Sequence, residues 1–309
     1  MKEQTSVQEL IKKNNNNKGK VFADKAVPIV LLLIASVSVL TTIGILFTLL
    51  TETVTFFTRV NPMEFLLSKE WAPFSSDPKY GIFSLILGTL KVTAVATVFA
   101  VPVGLGAALY LSEYASDKSR RIIKPILEIL AGIPTIVYGF FALTFVTPIL
   151  RSVFPELGSF NSISPGLVVG VMIIPMITSM SEDAMSSVPD SIKEGALGLG
   201  ATKFELATKI VFPAALSGII ASIVLAISRA IGETMIVSLA AGSTPDSSFS
   251  LIGSIQTMTG FIVQVATGDA TYGSDIYYSI YAVGFTLFLF TFIMNIISQW
   301  VTKRFREEY

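Results

Sequence analysis

The stretch Glu194-Gly195-Ala196-Leu197-Gly198-Leu199-Gly200-Ala201-Thr202-Lys203-Phe204-Glu205-Leu206-Ala207-Thr208-Lys209-Ile210-Val211-Phe212-Pro213 separates two long apolar runs and is itself mixed in charge. Its first half predicts a short helix with a small-residue face and a break at Gly200. Thr202 then reads as the N-cap of a second helix, which Pro213 stops. The second helix carries a mixed-charge face and an apolar face. Two such helices between membrane spans serve either as a packed connector or as a coupling element set into a partner's groove.

The surroundings of this loop decide the fold class. A bilayer core needs about 20 apolar residues of helix, and six runs qualify: 27–50, 82–111, 126–149, 163–180, 214–241 and 276–300. The chain is therefore expected to be all-α, a polytopic membrane protein with six transmembrane helices and a single transmembrane domain over 27–309. With 52% hydrophobic and 14% charged residues and a mean hydropathy of +0.69, a soluble enzyme is excluded. The absence of Cys and His removes disulfides, thiolate chemistry, zinc clusters and the commonest general base. No metal site and no cofactor are expected in this chain, and the zero net charge gives no reason to expect nucleic acid.

Charge placement sets the orientation. Alternate loops 1–26, 112–125, 182–213 and 301–309 hold 16 Lys and Arg, whereas 51–81, 150–162 and 242–275 hold 4, so both termini are predicted cytoplasmic. The basic, Asn-rich segment 1–26 is expected to be disordered and the first span to be uncleaved. Residues 251–267 are apolar at three- or four-residue spacing but contain Gln256 and Gln264, which suits an interfacial or re-entrant helix. The first outside loop carries Phe65, Trp71, Phe74 and Tyr80, either at headgroup level or as a docking surface.

Within the fifth run stands Ser228-Arg229-Ala230-Ile231-Gly232-Glu233-Thr234. Continuous helix from Ala214 puts Arg229 about 22 Å along, near mid-membrane. A guanidinium there costs a few kcal/mol and cannot deprotonate. Glu233, four residues on, is expected to pair with it. The pair is either a structural brace or part of an anion path, in which Arg229 offers a planar fork of donors helped by the Ser228 and Thr234 hydroxyls. Lys91 is expected to snorkel to the outer headgroups, and Glu128 to complement the N-terminus of the third span. Gly104, Gly106, Gly166 and Gly170 read as packing glycines. The chain contains no Walker A sequence.

Glu194, Ala196, Gly200, Ile210 and Pro213 stand at the spacings of the EAA loop of ABC importer permeases, and the chain resembles that family; Gly195 replaces the usual second Ala. The resemblance implies a type I importer permease fold and a loop that docks on a separate ATP-hydrolysing subunit. Further segments are similar to the phosphate-transport permease subunits of the PstC type. These are Trp71-x-Pro73, Tyr80 to Ile82, Gly88 to Leu90, Leu109 to Ala115, Gly132 to Gly139 and Arg229 to Thr234. Lys91 departs from that pattern. The similarity implies half of a phosphate pathway, completed by a second related permease in a heterodimer. It also implies two ATP-binding cassette subunits using ATP and Mg, an extracytoplasmic phosphate-binding protein, and no covalent chemistry in this chain. Sulfate, molybdate or phosphonate permeases remain alternatives, as does a proton-coupled anion transporter relying on Glu233. The acidic outer loops are a poor funnel for a free anion, which favours delivery by a docked binding protein.

Overall fold

The first apolar run continues one long helix, α1 (Lys18–Phe57), in a computed structural model that describes residues 18–268 and 270–304. Residues 18–26, expected to be disordered, are thus helical, while 1–17 lie outside the described residues. The described chain divides into two units at Glu52 and Thr53. In the first, α1 exposes apolar side chains such as Leu32, Leu40 and Phe47 along its length, a surface suited to lipid.

The second unit follows in order: α2 (Pro62–Leu67), β1 (Trp71–Ala72), β2 (Lys79–Tyr80), α3 (Phe83–Leu109), α4 (Asp117–Gly132), α5 (Thr135–Phe141) and α6 (Thr147–Val153). It continues with α7 (Ile163–Ser186), α8 (Asp190–Gly198), α9 (Lys203–Glu205), α10 (Phe212–Ala214), α11 (Leu216–Ile231), α12 (Met235–Ala240), α13 (Met258–Thr267) and α14 (Asp275–Arg304). β1 and β2 form a short antiparallel pair, Trp71 opposite Tyr80. Wide π-helical turns at Tyr110–Tyr114, Ala142–Val146 and Leu206–Val211 extend or join helices. Among the described residues five helices are long and apolar enough to cross a membrane. A sixth arises if Lys203–Ala214 and Leu216–Ile231, bent by 71°, count as one span.

Two of the six expected runs change shape. Residues 126–132 belong to α4, which Ser116 caps at its N-terminus; the apolar span begins only after a break at Ile133–Pro134 and runs over Thr135–Val153. Proline lacks the N–H that a continuous helix needs, which explains the break. Run 214–241 is broken twice, by the bend at Ala215 and by a non-helical step at Gly232–Thr234. The remaining runs become helices longer than the apolar window alone suggested.

α3 and α7 form the central pair. A Cβ on Gly166 or Gly170 would collide with Val95 or with Phe99 and Ala96, and one on Gly104 with Ile177. The two backbones therefore approach closely and bury Val92, Ala96, Val169, Ile173 and Ile177. Gly106, read as a fourth packing glycine, meets nothing within 4 Å. α7 in turn packs on α11, where Ser181 and Ser222 share a buried hydroxyl–hydroxyl bond of 2.7 Å.

At the α2–β2 end, Phe56, Phe65, Trp71, Tyr80 and Phe261 pack edge to face. Three of the loop aromatics are thus neither at headgroup level nor on a docking face but inside a small core, because α13 folds back against them; Phe74 stays exposed. The segment before α13 is buried too. Gly88 lies so close to the Gln256 carbonyl that a side chain at position 88 would meet it, and the Met258 N–H donates to Thr89 Oγ1 at 3.1 Å.

Candidate functional site

The step at Gly232 decides what the charged motif can do. α11 ends at Ile231, and the Gly232 N–H closes the last turn on the Ser228 carbonyl. Glu233 then lies outside the helix, so the four-residue register with Arg229 is lost. Its Oε1 instead accepts the Met235 and Ile236 N–H groups at 3.0 and 3.2 Å, capping α12. Its carbonyl accepts the Thr259 hydroxyl at 2.7 Å, which leaves Glu233 only 8% exposed. The expected Arg229–Glu233 pair is absent because helix termination turns the carboxylate into a cap.

Arg229 is exposed on the chain, and among the described residues it makes no ion pair or hydrogen bond. The Ser228 hydroxyl is buried without a partner, and Thr234 donates to the Gly232 carbonyl at 3.2 Å. Neither hydroxyl is aligned with the guanidinium by a hydrogen bond. Arg229 lines a cavity of about 360 Å³ together with Leu127 and Glu128 of α4 and Met172, Pro175 and Ser179 of α7. Glu128 was placed by its sequence at a helix N-terminus. The helix starts at Asp117 instead, so Glu128 sits well inside α4 and reaches the same cavity as Arg229.

Lys91 does not snorkel. It is 5% exposed, and its Nζ lies 3.0 Å from Asp246 Oδ2. Burial of Asp246 opposes its ionisation. The Ser248 N–H and hydroxyl, together with the Lys91 ammonium, outweigh that and hold the carboxyl below its ordinary range.

At the other end of the bundle, α8 runs to Gly198, and Gly200 takes φ +89°, a left-handed turn that other residues adopt at a cost. Thr202 and Glu205 form a reciprocal capping box. The Thr202 N–H, the Lys209 ammonium and the Thr202 hydroxyl push the Glu205 carboxyl down to about 2. Helix does not stop before Pro213. The π turn Leu206–Val211 widens the coil ahead of the proline, and helical structure continues to Ala214. Ala196 is buried and Ile210 half-buried, whereas Glu194 and Pro213 are exposed. Leu199 and Phe204 are 92% and 66% exposed, an apolar pair beside the Gly200 turn. A part-buried ion pair, Lys193–Glu113 at 2.9 Å, ties α8 to the end of the second span, and Lys124–Glu182 at 2.7 Å ties α4 to α7.

Residues 100–307 match the family described as the inner membrane component of binding-protein-dependent transport systems. The chain belongs to this family. It is 36% identical to a probable ABC transporter permease protein, YqgH, of Bacillus subtilis over 249 residues, 79% of each chain. It is 34% identical to the phosphate transport system permease protein PstC of Mesorhizobium japonicum over 260 residues, 78% of each. Among solved structures, a bacterial alginate ABC transporter, crystallised with an alginate-bound periplasmic protein, superposes with a TM-score of 0.64 at 14% identity, covering 93% of this chain and 99% of that one. The MetNI methionine ABC transporter gives 0.56 at 17%, covering 80% and 100%. The fold is therefore that of the type I ABC importer permeases, and the protein is a multi-pass membrane permease subunit of an importer.

Proposed function

We propose that this subunit forms half of the path of an ATP-driven importer of inorganic phosphate, with Arg229 in that path. The observation that carries the reading is an exposed guanidinium, without a partner among the described residues, on an open cavity between α4, α7 and α11. A cation carried by an apolar membrane helix is costly unless water or a ligand meets it, and an open cavity admits either. The similarity to a phosphate permease supports phosphate as that ligand. Glu233 supports the site by fixing the helix break next to Arg229.

In this reading both termini are cytoplasmic, which the Lys and Arg distribution supports. The loop Glu194–Pro213 meets one of two ATP-hydrolysing subunits that use ATP and Mg, and the exposed Leu199 and Phe204 give it an apolar contact. A second, related permease completes the path, and a phosphate-binding protein delivers substrate on the far side. Replacing Arg229 with Gln is expected to abolish labelled phosphate uptake while the complex still purifies intact; unchanged uptake would overturn the pathway role. A bulky residue at Gly200 is expected to uncouple ATP hydrolysis from uptake or to lose the ATPase on purification. Competition of phosphate uptake by sulfate, molybdate and phosphonate tests the choice of anion.

A further inference from the structure

Glu128 has no part in the reading above, yet it faces the same cavity as Arg229. Among the described residues neither side chain has an ion-pair or hydrogen-bond partner. Glu233 is not on that cavity, and its Oε1 is engaged by two backbone N–H groups. The carboxylate available to a ligand of Arg229 is therefore Glu128. The rest of the wall is mostly apolar, with Met172, Pro175 and Met176 on one side and Leu127 on the other.

A guanidinium only donates hydrogen bonds, and a carboxylate only accepts them. A tetrahedral anion without a proton gains from Arg229 and is repelled by Glu128. An anion that carries a hydroxyl satisfies both, its bare oxygens accepting from Arg229 and its hydroxyl donating to Glu128. We propose that Glu128 is a specificity-determining residue that admits protonated tetrahedral oxyanions, such as hydrogen phosphate, and excludes fully deprotonated ones, such as sulfate. The inference rests on Arg229 being a pathway residue. It concerns the permease itself, independently of any selection made by a delivering protein. A site that requires a donor from its ligand discriminates steeply against an analogue lacking it, here by about tenfold or more.

The chain has no cysteine, so Ser179→Cys places a single thiol of this subunit on the cavity wall. In the purified, assembled importer without binding protein, its alkylation by a small maleimide is timed in phosphate, sulfate or chloride at equal ionic strength. Phosphate is expected to slow the reaction about fivefold or more, and sulfate to leave it at the chloride rate. Adding Glu128→Gln, whose amide can donate, should let sulfate protect within about twofold of phosphate. Glu128→Asp, which keeps the charge, should still exclude sulfate, and Arg229→Gln should remove protection by both anions. Continued exclusion of sulfate by Glu128→Gln overturns the proposal. So does sulfate protection in Glu128→Asp, or the absence of phosphate protection in Ser179→Cys alone. Normal uptake by Arg229→Gln instead breaks the pathway reading. Loss of uptake in Arg229→Gln with unchanged selectivity in Glu128→Gln breaks only the role of Glu128.

Discussion

Lys91 and Arg229 are both cations inside apolar helices, and the protein treats them in opposite ways. Lys91 is enclosed, with Asp246 held against it by Ser248 and with the Gln256–Thr257 backbone packed on the same helix at Gly88. Arg229 stands beside a cavity with no partner among the described residues, because the carboxylate nearest in sequence caps another helix. A buried charge that is paired and hydrogen-bonded braces a fold, while an exposed, unpaired one on a cavity wall is free to meet a ligand. Position in a membrane span alone does not distinguish the two; their partners do.

Four experiments would break or sharpen that contrast. Arg229→Lys is expected to lower phosphate uptake about a hundredfold with no change in complex stability, since an ammonium lacks the planar fork; uptake near the parent level would make Arg229 a generic positive charge. Asp246→Asn strands the enclosed Lys91 and is expected to cost about 2 kcal/mol in detergent melting, less than a fully buried pair because Asp246 is 29% exposed. The double variant Lys91→Met with Asp246→Asn should recover most of that stability, and no recovery would show that Asp246 acts through other contacts. Gly88→Ala forces the Gln256 backbone away and is expected to cost about 1 to 3 kcal/mol while leaving the Arg229 cavity able to bind phosphate. The smallest effect belongs to the far end. Thr202→Ala removes the capping box and should raise amide exchange at Glu205 a few-fold.

The capping box also carries a pH signature. Because the folded Glu205 carboxyl is pushed down to about 2 from an ordinary value of 4.5, its stabilising contribution is complete above that ordinary value. It fades as pH falls through the interval between them. Lowering the pH from 5 to 2 should loosen the Lys203–Ala214 arm in the parent and change little in Glu205→Gln, which removes the titrating carboxyl. Exchange measured at the two pH values decides this.

Most of the helical plan was legible, and the reasons for the exceptions are specific. Apolar length found the spans, and Gly200 and Thr202 announced the turn and cap between α8 and α9. Hydropathy did not register the break at Ile133–Pro134 or the step at Gly232, since both lie within apolar sequence. Gly followed by Glu ahead of a short apolar run was the available signal that Glu233 caps a helix and does not pair with Arg229. The Lys91–Asp246 and Lys193–Glu113 pairs join residues 155 and 80 positions apart. No periodicity reports contacts of that range. Glu128 does not stand at the N-terminus of the third span because α4 starts at Asp117 and passes through Pro125 without a break.

The 71° bend at Ala215 makes the chain from Lys203 to Ile231 a crank. Fourteen residues of helix separate that elbow from Arg229, an arm of about 21 Å. A swing of about 10° at the elbow carries the guanidinium through roughly 4 Å, further than the length of a hydrogen bond. A small tilt of the Lys203–Ala214 arm is thus sufficient leverage to shift the Arg229 guanidinium across the cavity it lines.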